Sequence, residues 1–97
     1  MRVYSTIMGA NFRPVEAKTE LRSLSIEDRV ELEAEPENPY DSNAVKVISN
    51  GHHIGYVARQ NNTRVAEALA EGKELFATVI DASNPYKPDI LIEEVPF

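Results

Sequence analysis

Residues 35–47 read E-P-E-N-P-Y-D-S-N-A-V-K-V and contain the densest cluster of turn-forming residues in the chain. Each of the two prolines in this segment disfavours the α-helical conformation for the residue before it. Residues 29–35 alternate charged and apolar side chains before the cluster, and residues 44–48 resume the alternation after it. Because period-two alternation places the apolar side chains on one face of a strand, we predict two strands joined by a stiff loop.

The rest of the chain contains further strand signals and one clear helix. Strand character is found at residues 2–8, 29–35, 44–48, 52–57, 75–80 and 90–92. Asn50-Gly51 is a strong hairpin signal, and Gly55 in mid-strand indicates a bulge or the close approach of another backbone. An amphipathic helix is predicted over residues 63–71, with the amides of residues 61–62 as cap candidates and Gly72 after its end. Residues 13–26 show no clean period and are predicted as a loop with room for a helical turn.

Six short strands with little helix indicate a mainly β fold. We expect a small six-stranded OB-like or SH3-like β-barrel with one or two short α-helices. The chain has 97 residues, which is enough for one hydrophobic core and too few for two, so residues 1–97 are predicted to form a single domain.

Composition narrows the function classes. The chain has no cysteine, no signal-peptide pattern and no apolar run long enough to span a membrane, so a cytoplasmic location is expected. Its net charge of -6 is the opposite of the basic signature of most nucleic-acid binders. Six of the eleven residues from 27 to 37 are acidic, and only Arg29 opposes them.

No catalytic or metal-binding pattern is evident. The common phosphate-binding and hydrolase motifs are absent from the sequence. His52 and His53 are adjacent in a predicted strand and would point to opposite sides. Glu31, Glu33 and Glu35 form a row typical of a solvated strand face. We therefore predict a non-enzymatic domain without cofactor or metal.

The loop at residues 38–43 is the strongest candidate for a binding site, because stiff loops on rigid scaffolds suit recognition. The competing interpretation is structural. In that case Asp41 and Asn43 satisfy backbone amides in an Asx-type turn, and Tyr40 packs on the end of the barrel. The residue types alone favour the structural interpretation.

The combined motifs resemble the HIRAN domain family over nearly the whole chain. They are G-x-x-F at residues 9–12, the segment 35–47, I-G-Y-V-A-R at residues 54–59, and the alanine-rich helix. HIRAN domains are OB-like barrels found alone or fused to helicase-type proteins and nucleases. An animal member binds the unpaired 3′ end of single-stranded DNA, so the resemblance implies a pocket for such an end here.

The resemblance also implies roles for individual residues. Tyr40 matches an aromatic that stacks on the terminal base, and Asp41 matches the carboxylate that accepts a hydrogen bond from the 3′ hydroxyl. Phe12 matches a second stacking aromatic, and Arg59 matches a basic residue on the phosphate path.

Three positions match less closely. Tyr86 takes the place of an aromatic in the last loop, and Tyr56 stands where the animal member has a histidine. Asn11 stands where that protein has an arginine. The changes at Asn11 and Tyr56 weaken phosphate contacts. A local basic path is expected from the remaining cations, which are Lys46, Arg59, Arg64, Lys73 and Lys87.

Two functions follow from these observations. The first is a non-catalytic module that binds single-stranded DNA ends, with a helicase or nuclease as partner protein. The alternative is a protein-interaction or homo-oligomeric domain that keeps the barrel and has little affinity for DNA, as the acidic charge would favour.

Overall fold

The computed structural model describes residues 1–96. Within them lie six strands and two α-helices: β1 (Arg2–Met8), α1 (Val15–Arg22), β2 (Arg29–Ala34), β3 (Val45–Ser49), β4 (His52–Val57), α2 (Asn62–Ala70), β5 (Leu75–Asp81) and β6 (Asp89–Glu94). Single 3₁₀ turns cover Ala10–Phe12 and Arg59–Asn61. All six predicted strands are present.

The strands form a closed antiparallel barrel in the order β1-β4-β3-β2-β5-β6. Closure leaves no unpaired edge among them. Inward side chains fill the interior, and Ile7, Val47, Ile54, Ile90 and Ile92 have no exposed surface. The predicted small β-barrel is therefore confirmed.

Gly55 fulfils both expectations for a glycine in mid-strand. The register between β3 and β4 shifts after Val47, which pairs with Gly55 while Ile48 pairs with His53, so β4 bulges. A Cβ at Gly55 would also lie 2.6 Å from the carbonyl oxygen of Met8. Only glycine lets β1 come this close to β4.

Helix α1 corrects the prediction of a loop over residues 13–26. Its inward residues are Ala17 and Leu21, followed by Leu24 beyond the last turn, and their spacing of four and three is helical. The pattern was obscured because Val15 and Ile26 are apolar but exposed, whereas the small Ala17 is buried.

Helix α2 agrees with its prediction to within one residue at each end. Val65 and Ala68 are buried on its inner face. Gly72 has φ of +81°, its amide donates to the Leu69 carbonyl, and the Lys73 amide donates to the Ala68 carbonyl. These two bonds make a Schellman motif, which ends the helix.

Two residues of the predicted acidic row, Glu31 and Glu33, are exposed as expected. The third, Glu35, is half-buried and accepts hydrogen bonds from Asn38 and Tyr56, so the prediction of a fully solvated row is wrong at this position. No helix formed by residues 1–96 is long and apolar enough to cross a membrane.

Candidate functional site

An open groove of about 820 Å³ lies at one end of the barrel. Four segments line it: the end of β1, the first 3₁₀ turn, the loop after β2, and the region from the end of β4 to the start of α2. Five of the six predicted site residues are lining residues, namely Phe12, Tyr40, Asp41, Tyr56 and Arg59.

Asparagine and aspartate side chains hold the groove loop in shape. Asn38 Oδ1 accepts hydrogen bonds from the backbone amides of Tyr40 (2.9 Å) and Asp41 (3.1 Å). Asp41 Oδ1 accepts one from the amide of Asn43 at 2.9 Å. The Asx-turn part of the structural interpretation is therefore present. Its other part is wrong, because Tyr40 is 86% exposed and does not pack on the barrel.

The Asp41 carboxylate is held on both of its oxygens. Besides the Asn43 amide on Oδ1, Asn62 Nδ2 donates to Oδ2 at 2.8 Å, and Arg59 Nε donates to the same atom at 3.3 Å. The Asn43 amide, followed by Asn62 and Arg59, lowers the pKa of Asp41 below its ordinary value. Asp41 is therefore an ionised hydrogen-bond acceptor at neutral pH.

Arg59 lines the groove and also binds two residues of the groove loop. Its Nη2 donates to the carbonyl of Tyr40 at 2.6 Å, while its Nε reaches Asp41. Its side chain remains 72% exposed, so part of the guanidinium still faces solvent.

Two of the three lysines suggested by the sequence for a basic path are paired with carboxylates. Lys46 pairs with Glu35 at 3.3 Å and with Glu33 at 3.7 Å, and Lys73 lies 3.9 Å from Glu71. These carboxylates offset the lysine charges.

Tyr56 connects the floor of the groove to the loop through Glu35. The Tyr56 hydroxyl donates to Glu35 Oε1 at 3.0 Å, and Asn38 Nδ2 donates to the same oxygen at 2.6 Å. The Asn38 bond, followed by those of Tyr56 and Lys46, lowers the pKa of Glu35 despite its partial burial. Burial, with Glu35 as second cause, raises the pKa of Tyr56.

The sequence analysis missed several lining residues, among them Arg13, Asn62 and Met8. Arg13 borders the groove, and its Nε donates to the carbonyl of His53 at 2.9 Å. Asn62 was predicted as a cap candidate, yet it is a buried first residue of α2 whose amide binds Asp41. Met8 was assigned only to a strand. No local pattern distinguishes these residues, because their roles depend on contacts between distant segments.

Tyr86 lies outside the groove. It is 61% exposed and lines a separate cleft of about 210 Å³ together with Asn11, Lys18 and Arg22. The first 3₁₀ turn separates the two sites, since Phe12 borders the groove and Asn11 borders the cleft.

Among residues 1–96, no three His, Cys, Asp or Glu side chains are placed to hold a metal ion together. The polar groups of the groove engage one another instead, and leave two exposed aromatic side chains, Phe12 at 90% and Tyr40 at 86% exposure.

A protein-family model described as the HIRAN domain matches residues 1–93. The crystal structure of a Lactobacillus plantarum protein is similar, with a TM-score of 0.83 and 24% identity over 97% of this chain and 95% of that one. The crystal structure of the HIRAN domain of human HLTF has a TM-score of 0.77 and 20% identity, over 96% of this chain and 74% of that one.

An NMR structure of the HLTF HIRAN domain in its DNA-bound conformation has a TM-score of 0.60 and 20% identity, with 96% of this chain and 73% of that one covered. No curated protein gives a significant match.

Proposed function

The chain belongs to the HIRAN domain family, and on that premise we propose that its groove binds the free 3′ end of single-stranded DNA. The domain would act without catalysis, as a module that brings a partner such as a helicase or nuclease to the end. The DNA-bound conformation described for the HLTF HIRAN domain supports DNA as the class of ligand.

The observation that carries the proposal is an ionised carboxylate fixed beside two exposed aromatic side chains. Aromatic faces stack on any base, at about 1 to 3 kcal/mol per base, and so bind a strand without reading its sequence. Phe12 and Tyr40 offer such faces.

Asp41 supplies the preference for an end. Its Oδ1 receives one protein donor and can accept a second hydrogen bond. A terminal hydroxyl can donate that bond, whereas a terminal phosphate would be repelled by the carboxylate charge. Because Asn43, Asn62 and Arg59 already fix the carboxylate, little ordering is needed on binding.

Positive charge in the groove is limited to two arginines. Arg13 donates a hydrogen bond to a neutral backbone carbonyl, so no carboxylate offsets its charge. Arg59 forms an ion pair with Asp41, which partly offsets its charge. With so few phosphate contacts, we expect binding that is weak and sensitive to salt.

A second function is favoured by the charge distribution. The chain has a net charge of -6, and Lys46 and Arg59 are paired with carboxylates. A groove with exposed aromatic rims and offset cations also suits a peptide segment of a partner protein or a second copy of the chain.

Fluorescence anisotropy with single-stranded oligonucleotides that end in a 3′ hydroxyl or a 3′ phosphate would separate these functions. We expect the wild type to prefer the hydroxyl. Tyr40→Ala should weaken binding of both ligands about 5- to 150-fold, which corresponds to the loss of one stacked base. Asp41→Asn should reduce the preference between the two ends.

Tyr4→Ala is the matched control, because Tyr4 is 57% exposed and does not line the groove. It should bind as the wild type does. Absence of binding to either oligonucleotide at low salt would contradict the DNA proposal and favour the protein-interaction function.

A further inference from the structure

The cleft of about 210 Å³ beside the groove is lined by two basic residues of α1. Lys18 and Arg22 lie four residues apart on α1, and both line the cleft together with Tyr86. Neither forms an ion pair with any residue in the part of the chain that the structure describes.

Glu20 and the two cations of α1 contact different parts of the fold. Glu20 lies away from the cleft, and its carboxylate accepts hydrogen bonds from Ser49 Oγ (2.7 Å) and Asn50 Nδ2 (2.9 Å) at the β3–β4 hairpin. In the part of the chain that the structure describes, no carboxylate lies within 4.0 Å of either cation. Like charges four apart on a helix repel each other, so the pair is destabilising until an anion binds between them.

The cleft and the groove are neighbours along one short segment. Asn11 lines the cleft and Phe12 lines the groove, and consecutive Cα atoms are only about 3.8 Å apart. A strand that has its end in the groove and leaves past this turn would meet the cleft next. In a chain with a net charge of -6, Arg13 lines the groove while Lys18 and Arg22 line the neighbouring cleft, and none of the three forms an ion pair within the described residues.

We propose that the cleft binds backbone phosphates of the same DNA strand, upstream of the end held in the groove. This inference rests on the proposed function. Lys18 and Arg22 are the phosphate ligands, and the assignment gives an acidic domain a local site for a polyanion.

The test compares a short 3′-hydroxyl oligonucleotide of about three nucleotides with a longer one of about twelve, since OB-type sites cover about 4 to 16 nucleotides. The double variant Lys18→Gln/Arg22→Gln should bind the short ligand as the wild type does and the long ligand several-fold more weakly. For the long ligand, the slope of log affinity against log salt should become shallower by about 0.7 to 1.4, the value for one or two single-strand phosphate contacts.

The control is Arg64→Gln/Lys73→Gln, which makes the same change in net charge at residues that line neither the cleft nor the groove. It should leave the salt slope unchanged. An equal loss in both double variants, or no loss in the cleft variant while the wild type binds, would overturn the cleft assignment alone. Failure of the wild type to bind either ligand would overturn the proposed function as well.

Free phosphate is the other possible source of the anion. Inorganic phosphate is titrated into wild type and Tyr40→Ala, and the amide NMR shifts of α1 are followed. We expect no saturable shift in either protein. A saturable shift at Lys18 and Arg22 that the longer oligonucleotide does not displace would assign the cleft to free phosphate and overturn its assignment to DNA.

Discussion

The side-chain amide of Asn62 donates a 2.8 Å hydrogen bond to Oδ2 of Asp41 and so joins the first turn of α2 to the groove loop. Asn62 is only 3% exposed, and the two residues are 21 positions apart in the chain. The lowered pKa of the groove carboxylate thus depends in part on a residue from another element of the fold.

Asn62→Ala is therefore expected to raise the pKa of Asp41 towards its ordinary value. The rise should be partial, because the Asn43 amide is the larger cause of the lowered pKa and remains in place. NMR titration of the Asp41 side-chain carboxyl carbon measures the change. Asn61→Ala serves as the control, since its side chain makes no cap hydrogen bond. An unchanged pKa in Asn62→Ala would contradict the role assigned to this bond.

Tyr56→Phe should lower the free energy of unfolding by about 1 kcal/mol, the usual net value of a hydrogen bond. The substitution deletes the hydroxyl that donates to Glu35 and should also raise the pKa of Glu35. Urea unfolding measures the first effect, and carboxyl titration measures the second. Tyr86→Phe is a suitable comparison because Tyr86 is exposed, and it should change neither quantity.

Gly55→Ala should be among the most destabilising single-methyl changes in the barrel. The new Cβ would lie 2.6 Å from the Met8 carbonyl oxygen and 2.7 Å from Ile7 Cγ2, and the backbone of β1 cannot easily move. Overpacking of this kind costs about 1 to 3 kcal/mol, and each kcal/mol lowers Tm by about 4 to 8 °C for a domain of this size.

Gly51→Asn is the control for this prediction. Gly51 has φ of +79°, and a Cβ added there would meet nothing within 4 Å. Asparagine tolerates this left-handed conformation. The melting temperature of the variant should stay close to that of the wild type. Similar losses in both variants would show that the contact with β1 is not the cause.

Acidification should destabilise the fold in two stages. Burial lowers the pKa of His53, so the unfolded chain takes up a proton first as the pH falls below 6.5, the ordinary histidine value. Stability therefore decreases from there until the folded pKa is passed. Glu35 and Asp41 have lowered pKa values, so their contributions are present above 4.5 and 3.8 and are lost as pH falls through the folded values.

Urea midpoints measured across this range would test the order of the stages. His53→Phe should remove the first stage and keep the second, since phenylalanine can retain the edge contact with the Tyr56 ring. The same acid profile in wild type and His53→Phe would contradict the first stage.

The strands were predictable because each one alternates or carries turn signals at its ends. The barrel buries one face of every strand, and apolar residues therefore recur at every second position of the local sequence. Helix α1 was less visible, because its buried face includes Ala17 while Val15 is exposed. The helix packs against β4, and this contact between distant segments is not visible in the local sequence pattern.

The candidate site was predictable only in part. Family motifs indicated the groove residues Phe12, Tyr40, Asp41, Tyr56 and Arg59, and the structure brings these five together. Tyr86 was included by analogy and borders the neighbouring cleft instead. Arg13 and Asn62 carry no motif, since the carbonyl and carboxylate that they bind come from residues far away in sequence.

The barrel joins β1 to β4 through only two registered pairs, Ile7 with Val57 and Met8 with Tyr56. Met8, Tyr56 and Val57 are also lining residues of the groove. The floor of the groove is therefore also a short strand pairing of the barrel, and separating β1 from β4 would disrupt the groove itself. A ligand that binds only when β1 and β4 are paired stabilises this pairing by mass action. Binding should therefore slow hydrogen exchange first at the amides of Ile7, Met8, Tyr56 and Val57.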